Sequence, residues 1–436
     1  MSQSAPARGD DLTDAGELPA FPDLIVIGAG VIGITIALRA RARGLAVTVI
    51  DRKGVCAETS AGNAGAFAFS EIEPLAAPGI LRKAPGWLLD PLGPLALPPS
   101  YAPRIAPWLW RFWRASRPAR FGAGLAAQAR LMALSRSALE RLIAETGAGH
   151  LLRRDGALDL YESEAEFRAS LPLWEERRAQ GIDFVPLTGR DAIAAHQPGL
   201  SPRLTHGVFV PGWINVVDPA DWTRRLARIF TERGGSIGQA TARAITPEAG
   251  AVSVHRTDGP PLRARRVVVA AGAWSRPLAL SLGDRLPLET ERGYNTTLPA
   301  GAFDLRLHIT FPGHGFVVSR INDGLRVGGA VELGGLARPP DYRRSRALLR
   351  KAEGFLPGLA TSGGTEWMGF RPSMPDSLPV ISPAGTSADV IYAFGHGHLG
   401  LTQSAGTAEL VADMLTGRDP ALAVDAFAAS RFRQGR

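Results

Sequence analysis

The chain has 436 residues, of which 45% are hydrophobic and 21% charged, a balance typical of a globular protein long enough for two domains. Lys and Arg exceed Asp and Glu by 49 to 41, for a net charge of +8, but no dense basic run alternates with aromatic residues, which argues against a nucleic-acid partner. The single cysteine, Cys56, excludes an intrachain disulfide and a cysteine-based metal site, so we expect no metal and a cytoplasmic location.

The N-terminal segment, residues 1–21, carries several charged residues and lacks the apolar core of a signal peptide, so we predict a disordered leader. The sequence also lacks a run of 18 uninterrupted apolar residues. It therefore predicts no helix that spans a membrane.

The first predicted element is an apolar strand ending at Ile27, followed by three glycines with G-x-G-x-x-G spacing. Gly28 allows a tight turn, Gly30 lets the backbone approach a pyrophosphate, and Gly33 lets the next helix pack closely on the strand. The pyrophosphate would sit at the N-terminus of that helix, at Val31 and Ile32, where free N–H groups point. This pattern indicates a dinucleotide-binding unit.

The second predicted strand ends in Asp51, about 20 residues after the glycines, as a fixed acceptor for the ribose hydroxyls. An acid at this place disfavours the 2′-phosphate of NADP. Arg52 leaves some doubt about that choice, and we expect its side chain to rest against the adenosine or in solvent.

Further segments of the dinucleotide-binding type recur along the chain. Periodicity predicts a helix over 124–146 and another over 219–233, the latter capped by Asp218; buried strands are predicted near 266–271 and 390–394. We therefore predict one cofactor domain built from residues 22–80, 211–285 and 366–436, with a substrate domain formed by residues 81–210 and 286–365.

A passage rich in proline and tryptophan, residues 78–118, interrupts this pattern and contains Trp87, Trp108, Trp110 and Trp113 among basic residues. One interpretation is peripheral contact with an anionic membrane surface. The other is a segment of the substrate domain whose tryptophans are simply buried. The sequence leaves both open.

Four motifs carry a family resemblance: Gly28–Gly33 with Asp51, Glu58–Gly65, Gly369–Asp376 and Gly395–Gly400. With them the chain resembles, from Asp23 to Phe432, the glutathione-reductase-type FAD oxidoreductases of the D-amino-acid oxidase family, and most of all the bacterial D-amino-acid dehydrogenases. The resemblance implies an α/β fold in which a Rossmann FAD-binding domain is interleaved with an α+β substrate domain carrying a large, mainly antiparallel sheet.

The resemblance also implies which further residues contact FAD: Arg52, Thr59, Ser60, Asn63, Ala64, Gly65, Ala271, Gly272, Trp274, Gly397, His398, Leu399, Gly400, Leu401 and Thr402. Relatives that attach flavin covalently through the loop at 58–65 have a histidine there. Because this chain has Asn63 and no histidine in that loop, we expect non-covalent FAD.

Arg371 is the residue that the resemblance implies for the substrate carboxylate, since a planar guanidinium matches a carboxylate with two hydrogen bonds. The alternative is a structural arginine paired with Asp376 or Glu366. Tyr294 resembles the family's tyrosine beside the carboxylate, and a core tyrosine is the alternative.

His396 and His398 are candidate proton shuttles, although ordering of the glycine-rich turn by hydrogen bonding is the favoured role for one of them. Cys56 is interpreted as a small apolar residue. Trp213 and Asn215 stand close to the pocket segments, where packing is the simplest interpretation.

The implied activity is oxidation of D-amino acids, including cyclic ones such as D-proline and cis-4-hydroxy-D-proline, by hydride transfer from the α-carbon to flavin N5. Electrons would pass to a quinone or another acceptor, in the cytoplasm or on the cytoplasmic face of the inner membrane. The alternatives are a sarcosine- or glycine-oxidase-like enzyme using O2, a non-catalytic flavin-binding electron-transfer subunit, and an NAD-dependent dehydrogenase.

Overall fold

The computed structural model describes residues 18–79 and 95–433. Within these ranges the helices are α1 Val31–Ala42, α2 Ala102–Ala115, α3 Pro118–Thr146, α4 Glu164–Ala179, α5 Arg190–His196, α6 Pro219–Glu232, α7 Ser275–Ser281, α8 Arg343–Phe355 and α9 Gly400–Thr416. The strands are β1 Leu24–Ile27, β2 Val47–Asp51, β3 Ala66–Phe67, β4 Leu95–Ala96, β5 Leu152–Arg153, β6 Ala157–Tyr161, β7 Val185–Thr188, β8 His206–Val210, β9 Ile214–Val216, β10 Ser236–Gln239, β11 Ala242–Glu248, β12 Ala251–Arg256, β13 Leu262–Ala264, β14 Arg266–Val269, β15 Glu289–Leu298, β16 His308–Phe311, β17 Phe316–Ile321, β18 Gly324–Glu332, β19 Thr365–Ser373, β20 Val380–Ala384 and β21 Ser387–Phe394.

One sheet collects the strands of the dinucleotide-binding unit in the order β10-β2-β1-β14-β21-β20. Neighbours pair in parallel from β10 to β21, and β20 adds an antiparallel edge. The strands in the middle of the sheet are almost entirely apolar, as expected when helices and loops cover both faces. Strands from the beginning, middle and end of the sequence therefore share one sheet.

A second, larger sheet has the order β19-β15-β18-β17-β16-β6-β8-β7, with β4 beside β18. Its pairs are antiparallel except β16 with β6 and β18 with β4. The predicted fold class, a Rossmann-type α/β unit combined with a large and mainly antiparallel sheet, is confirmed. The exact domain boundaries stay a prediction.

Helices cover the parallel sheet and build its core. α9 packs against α1 and α3, and the apolar residues of these helices are buried with those of β1 and β2. α6 begins where predicted, because the Asp218 carboxylate accepts the N–H groups of Ala220 and Asp221. α3 begins at Pro118, six residues before the predicted start, and ends at the predicted Thr146 with Gly147 in the left-handed conformation.

The proline- and tryptophan-rich passage forms α2 and lies partly outside the described residues, which omit Trp87. Trp108 is buried, whereas Trp110 is 57% exposed and lies against Trp113, with ring centroids 4.6 Å apart and ring planes tilted by 38°. The buried-tryptophan interpretation holds for Trp108, and membrane contact stays a prediction. In the described ranges, none of the helices has the length and apolar character needed to cross a bilayer. The predicted leader falls almost wholly outside those ranges, and the predicted cytoplasmic location stays a prediction.

Candidate active site

A cavity of about 500 Å³ opens where the carboxyl ends of β1, β2, β14 and β21 meet and extends along one face of the large sheet. Ligands of open α/β sheets bind at this edge. The four motifs of the sequence contribute to its wall, from the glycine turn after β1 at one end to β15 and β19 at the other. We call the first the dinucleotide end and the second the substrate end.

The glycine turn after β1 has the predicted geometry. Gly28 has φ +114°, and a Cβ there would lie 2.4 Å from the carbonyl oxygen of Ala270. A Cβ on Gly33 would lie 1.8 Å from the carbonyl oxygen of Gly28, so only glycine allows α1 to pack this closely. Gly30 faces the cavity, and the nearest atom to its Cβ position is the Ser60 hydroxyl at 3.1 Å.

Two side chains fix the dinucleotide end. The Asp51 carboxylate accepts the N–H groups of Ala29 at 2.9 Å and Lys53 at 2.8 Å, which holds it at the cavity wall. The Arg52 guanidinium lies 3.8 Å above the ring of Trp274. Arg52 also forms an ion pair with Glu58, so it is part of the wall rather than free in solvent.

The loop at 58–65 is held mainly by its own polar side chains. The Thr59 hydroxyl donates to the carbonyl of Phe370 at 2.9 Å, which ties the loop to β19. The Asn63 amide donates to the carbonyl of Ser60 at 2.7 Å and accepts the N–H of Gly65 at 2.8 Å. Because the hydroxyl of Thr59 and the amide of Asn63 are occupied in this way, they shape the loop that lines the cavity. Gly65 packs behind it, on Ile321.

The remaining predicted cofactor residues lie where expected along the same wall. Val31 and Ile32 open α1, and the Val31 N–H donates to the Ser60 hydroxyl at 3.0 Å. The others line the cavity beyond them: Ala64, Ala271, Gly272, Gly397, His398, Leu399, Gly400, Leu401 and Thr402.

His396 and His398 have different surroundings in the glycine-rich turn before α9. The His396 ring is buried and hydrogen-bonds to the Thr407 hydroxyl at 3.0 Å, and burial lowers its pKa to about 3. This geometry favours the turn-ordering role over the predicted proton shuttle. His398 is exposed to the cavity, yet desolvation by the surrounding protein lowers its pKa to about 4, so its imidazole is neutral at pH 7.

Arg371 lies in β19 at the substrate end, and burial lowers the pKa of its guanidinium. Its guanidinium donates a long hydrogen bond, 3.4 Å, to the carbonyl of Ala330. The structural alternative fails, because Asp376 pairs with Arg431 at 2.8 Å and Glu366 pairs with Arg346 at 3.1 Å. Among the described residues, no carboxylate lies within ion-pair distance of Arg371. It is a half-buried cation facing a cavity.

Tyr294 also lines the substrate end, but its hydroxyl donates to the carboxylate of Glu332 and accepts the N–H of Asp341 at 3.2 Å. Glu332 is held in turn by Arg292 at 3.1 Å and Arg338 at 3.2 Å. Burial, reinforced by Glu332, raises the pKa of Tyr294 to about 12. The geometry favours the core-tyrosine alternative over the predicted contact with a substrate carboxylate.

The comparisons with known proteins agree with this arrangement. A family model described as DAO, FAD dependent oxidoreductase, matches residues 23–414. The chain belongs to this family. It is 35% identical over 426 residues to a D-amino-acid oxidase of Bradyrhizobium diazoefficiens, covering 95% of this chain and 100% of that protein. It is 33% identical over 416 residues to a D-amino acid dehydrogenase of Rhizobium johnstonii, covering 94% and 99%.

Solved structures with the same fold include glycine oxidase from Geobacillus kaustophilus, with a TM-score of 0.74 and 20% identity, covering 95% of this chain and 99% of that one. L-proline dehydrogenase from P. horikoshii has a TM-score of 0.72 at 20% identity, covering 96% and 100%. At this identity the likeness concerns the fold alone.

The cavity fits the FAD that defines the family. The glycines of the first turn leave open the one approach that a pyrophosphate needs, at Gly30. Asp51 is placed for the ribose, and the turn at 397–402 ends in the N-terminus of α9, whose N–H groups favour negative charge. Non-covalent attachment stays a prediction, supported by the Asn63 amide that bonds within its own loop.

Sequence reasoning missed several residues of the substrate end, above all Glu291 and His308. Strand alternation was the available signal for Glu291, since residues 291 and 293 of β15 share the face of Arg371. Trp213 lines the cavity and donates to Ser70 at 2.6 Å, with its ring 5.0 Å from that of His308. Asn215 is tied instead to the carbonyl of Gly156 at 2.9 Å.

Cys56 is buried and has no disulfide partner. Burial raises the pKa of its thiol to about 12, so the reactive thiolate is scarce at neutral pH. The apolar packing role predicted for this residue agrees with that environment.

Proposed function

We propose that this protein dehydrogenates D-amino acids to imines, with Arg371 holding the substrate carboxylate. The observation that supports this most is the guanidinium of Arg371, half-buried at the substrate end and without an ion-pair partner among the described residues. An unpaired cation that is partly removed from water is costly, and a bidentate carboxylate ligand lowers that cost. D-amino-acid oxidase and dehydrogenase relatives at 33–35% identity support the substrate class.

Bound FAD supplies the acceptor for the hydride that leaves the α-carbon. The protein's own task is to orient the substrate, because hydride transfer requires the α-carbon about 3–3.5 Å from its acceptor. Arg371 fixes the carboxylate, and Gly293 leaves the room that its guanidinium needs, since a Cβ there would lie 2.5 Å from one of its nitrogens. Cyclic substrates such as D-proline and cis-4-hydroxy-D-proline fall within the same proposal, since ring closure leaves the carboxylate and the α-C–H in place.

The test is anaerobic reduction of the purified yellow protein, followed near 450 nm, with a panel of D- and L-amino acids, D-proline, hydroxy-D-proline isomers, sarcosine and glycine. Bleaching by D-amino acids and not by their L-enantiomers is the expected result. Bleaching by sarcosine and glycine alone would replace the proposal with the glycine-oxidase-like alternative. A yellow protein that none of these amines reduces would replace it with the electron-transfer subunit.

The acceptor of the electrons is a separate part of the proposal, for which we favour a quinone or another acceptor over O2. The relatives bear both kinds of name, oxidase and dehydrogenase. If a quinone is the acceptor, a water-soluble quinone should reoxidise the reduced protein much faster than air-saturated buffer does. Faster reoxidation by O2 with stoichiometric peroxide would assign an oxidase.

We also propose that α2 rests on an anionic lipid surface on the cytoplasmic face of the inner membrane. Residues 91–139 contain seven arginines and no Asp or Glu, and Trp110 is 57% exposed on this basic segment. Basic side chains and an exposed tryptophan suit the interface of an anionic bilayer. Co-sedimentation with vesicles containing phosphatidylglycerol, but not with pure phosphatidylcholine vesicles, is expected, and Trp110→Ser should weaken it. Equal binding to both vesicles or to neither contradicts the proposal.

A further inference from the structure

Glu291 is a carboxylate at the substrate end that the proposed function does not yet use. It lies in β15, lines the cavity and is only 5% exposed. A buried carboxylate ordinarily has a hydrogen-bonding or cationic partner. In the described part of the chain, no cationic side chain lies within ion-pair distance of Glu291, and its carboxylate takes part in no hydrogen bond there. The wall of the cavity therefore holds an acid whose partner is not supplied by the residues around it.

The strand register places this acid directly across from Arg371. In the antiparallel pairing of β15 with β19, Glu291 faces Arg371 and Gly293 faces Gly369, so all four positions share one face. Opposite side chains of this kind normally meet. Here the guanidinium turns away, since a Cβ on Gly293 would lie 2.5 Å from one of its nitrogens.

The turn of Arg371 over Gly293 separates the two charges along the strand. Positions 291 and 293 are two residues apart, or about 7 Å in an extended strand. The guanidinium is anchored at its far side by the carbonyl of Ala330, a residue with φ +51° beside an irregularity in the pairing of β15 with β18. A cation and an anion thus flank a gap on the cavity wall without neutralising each other.

Two charged or titratable side chains lie close enough to Glu291 for its charge to act on them. Glu291 acts electrostatically on Arg371 and on His398, which projects into the cavity from the turn after β21. Arg292, the next residue of β15, points to the other face, where it pairs with Glu332. Arg326 also lines the cavity, but it donates to the Thr297 hydroxyl at 2.9 Å and to the carbonyl of Asn63, and it forms no ion pair with Glu291.

An amino acid carries an ammonium and a carboxylate on one carbon, and this gap presents the complementary pair. We propose that Glu291 binds the α-ammonium group of the substrate and accepts the proton that it must lose before the α-C–H bond breaks. This assignment rests on the proposed function, because it takes Arg371 as the partner of the carboxylate.

The chemistry balances as follows. One N–H bond of the substrate ammonium breaks, and its proton forms an O–H bond on the Glu291 carboxylate. The nitrogen lone pair then forms the C=N bond while the α-hydrogen leaves with its electron pair to the bound FAD. The substrate is oxidised by two electrons to an iminium, the FAD takes up those two electrons, and Glu291 later returns its proton to solvent.

The test uses the FAD-loaded protein with Glu291→Gln, which removes the charge at nearly constant shape. Glu366→Gln is the matched control, since Glu366 stands in β19 outside the cavity and pairs with Arg346. Equilibrium binding is followed by the change in FAD absorbance with 2-aminoisobutyrate, which has no α-hydrogen and cannot be oxidised, and with isobutyrate, which lacks the amine. Reduction by D-alanine is followed anaerobically against pH.

Glu291→Gln should weaken 2-aminoisobutyrate about 10-fold or more, because a charge-assisted hydrogen bond is lost. It should leave isobutyrate binding unchanged or tighter, because a like charge is removed. The D-alanine reduction rate near neutral pH should fall about 100-fold, as for loss of a general base, and recover as pH rises toward the pKa of the free ammonium. Glu366→Gln should match the parent protein in all three.

Equal weakening of both ligands would overturn the proposal and make Glu291 a positioning residue for Arg371. Unchanged binding of both ligands would overturn it as well. If Glu291→Gln does not retain FAD, Glu291→Asp keeps the charge on a shorter side chain and should retain a preference for 2-aminoisobutyrate over isobutyrate; loss of that preference overturns the proposal. A parent protein that no D-amino acid reduces would instead refute the proposed function itself.

Discussion

The two ends of the cavity are built on opposite principles. At the dinucleotide end the polar side chains are already paired: Asp51 with backbone N–H groups, Arg52 with Glu58, and Asn63 with its own loop. At the substrate end Arg371 and Glu291 face the cavity without an ion-pair partner among the described residues. The first end has its polar side chains already paired, which suits a cofactor that stays bound. The second end is electrostatically incomplete, which suits a substrate that enters and leaves at each turnover.

The largest effect is expected from a substitution in the glycine turn at the dinucleotide end. Gly33→Ala adds a methyl group 1.8 Å from the carbonyl oxygen of Gly28. Because that oxygen belongs to the backbone of the tight turn, it cannot easily move away. We expect a protein that is insoluble or that retains almost no FAD, measured by the ratio of absorbance at 450 and 280 nm. Gly122→Ala, in α3 with open space around it, is the control and should keep normal FAD content. Normal FAD in Gly33→Ala would refute the packing role.

A substitution at the substrate end should leave FAD binding at the dinucleotide end intact. Arg371→Ala removes the carboxylate partner, so KM for D-amino acids should rise about 100-fold or more while the yellow colour is kept. The measurement is steady-state kinetics on FAD-matched samples. Arg346→Ala, which removes an exposed arginine outside the cavity, is the control. An unchanged KM in Arg371→Ala would remove the assignment of this residue.

A smaller effect is expected at Tyr294, where it distinguishes a structural residue of the cavity wall from one that contacts the substrate. Tyr294→Phe removes the hydroxyl that donates to Glu332, leaving a buried carboxylate with one partner fewer. We expect a loss of about 1–2 kcal/mol in stability and a change in KM of less than about threefold. Thermal unfolding and kinetics on the same samples separate the two. A large rise in KM with unchanged stability would restore the predicted contact between Tyr294 and the substrate carboxylate.

The last prediction concerns pH and stability, with no effect expected on either end of the cavity. Asp159, in β6 behind the substrate end, is buried, and desolvation together with Glu71 raises its pKa to about 7. The folded state therefore keeps this proton from about pH 4 to pH 7, whereas the unfolded state has lost it. Its contribution to stability should fall as pH rises through this range.

Asp159→Asn should flatten this part of the stability curve, and its Tm should exceed that of the parent increasingly from pH 4 to pH 7. Asp258→Asn, a change at an exposed loop residue, should leave the curve as it is. A parent protein whose Tm difference from Asp159→Asn is constant with pH would contradict the protonated state of Asp159.

The difference between the two ends of the cavity also explains which residue roles could be predicted from the sequence. The dinucleotide end is coded locally: Gly28, Gly33 and Asp51 lie within one βαβ unit, and their spacing alone predicted their roles. At the substrate end the partners are far apart in sequence. The position of Glu291 opposite Arg371 across β15 and β19 depends on strand register, and the hydrogen bond of the Tyr294 hydroxyl depends on Glu332, 38 residues away.

His396 illustrates the same limit at a residue that the sequence did single out. Its place in the glycine-rich turn was visible, but its hydrogen bond to Thr407 one helix further on was not. Residue type and position therefore pointed to residues that the structure places along one cavity, whereas the contacts of each side chain there required the tertiary structure.

The most direct measurement is anaerobic reduction of the FAD-loaded protein by D-alanine and by ethylamine, the same molecule without its carboxylate, at matched concentrations. If Arg371 holds the carboxylate at the incomplete end of the cavity, D-alanine should reduce the FAD with saturation while ethylamine fails to reduce it at a comparable rate. Equal reduction by the two amines would contradict the central role of a charged substrate end.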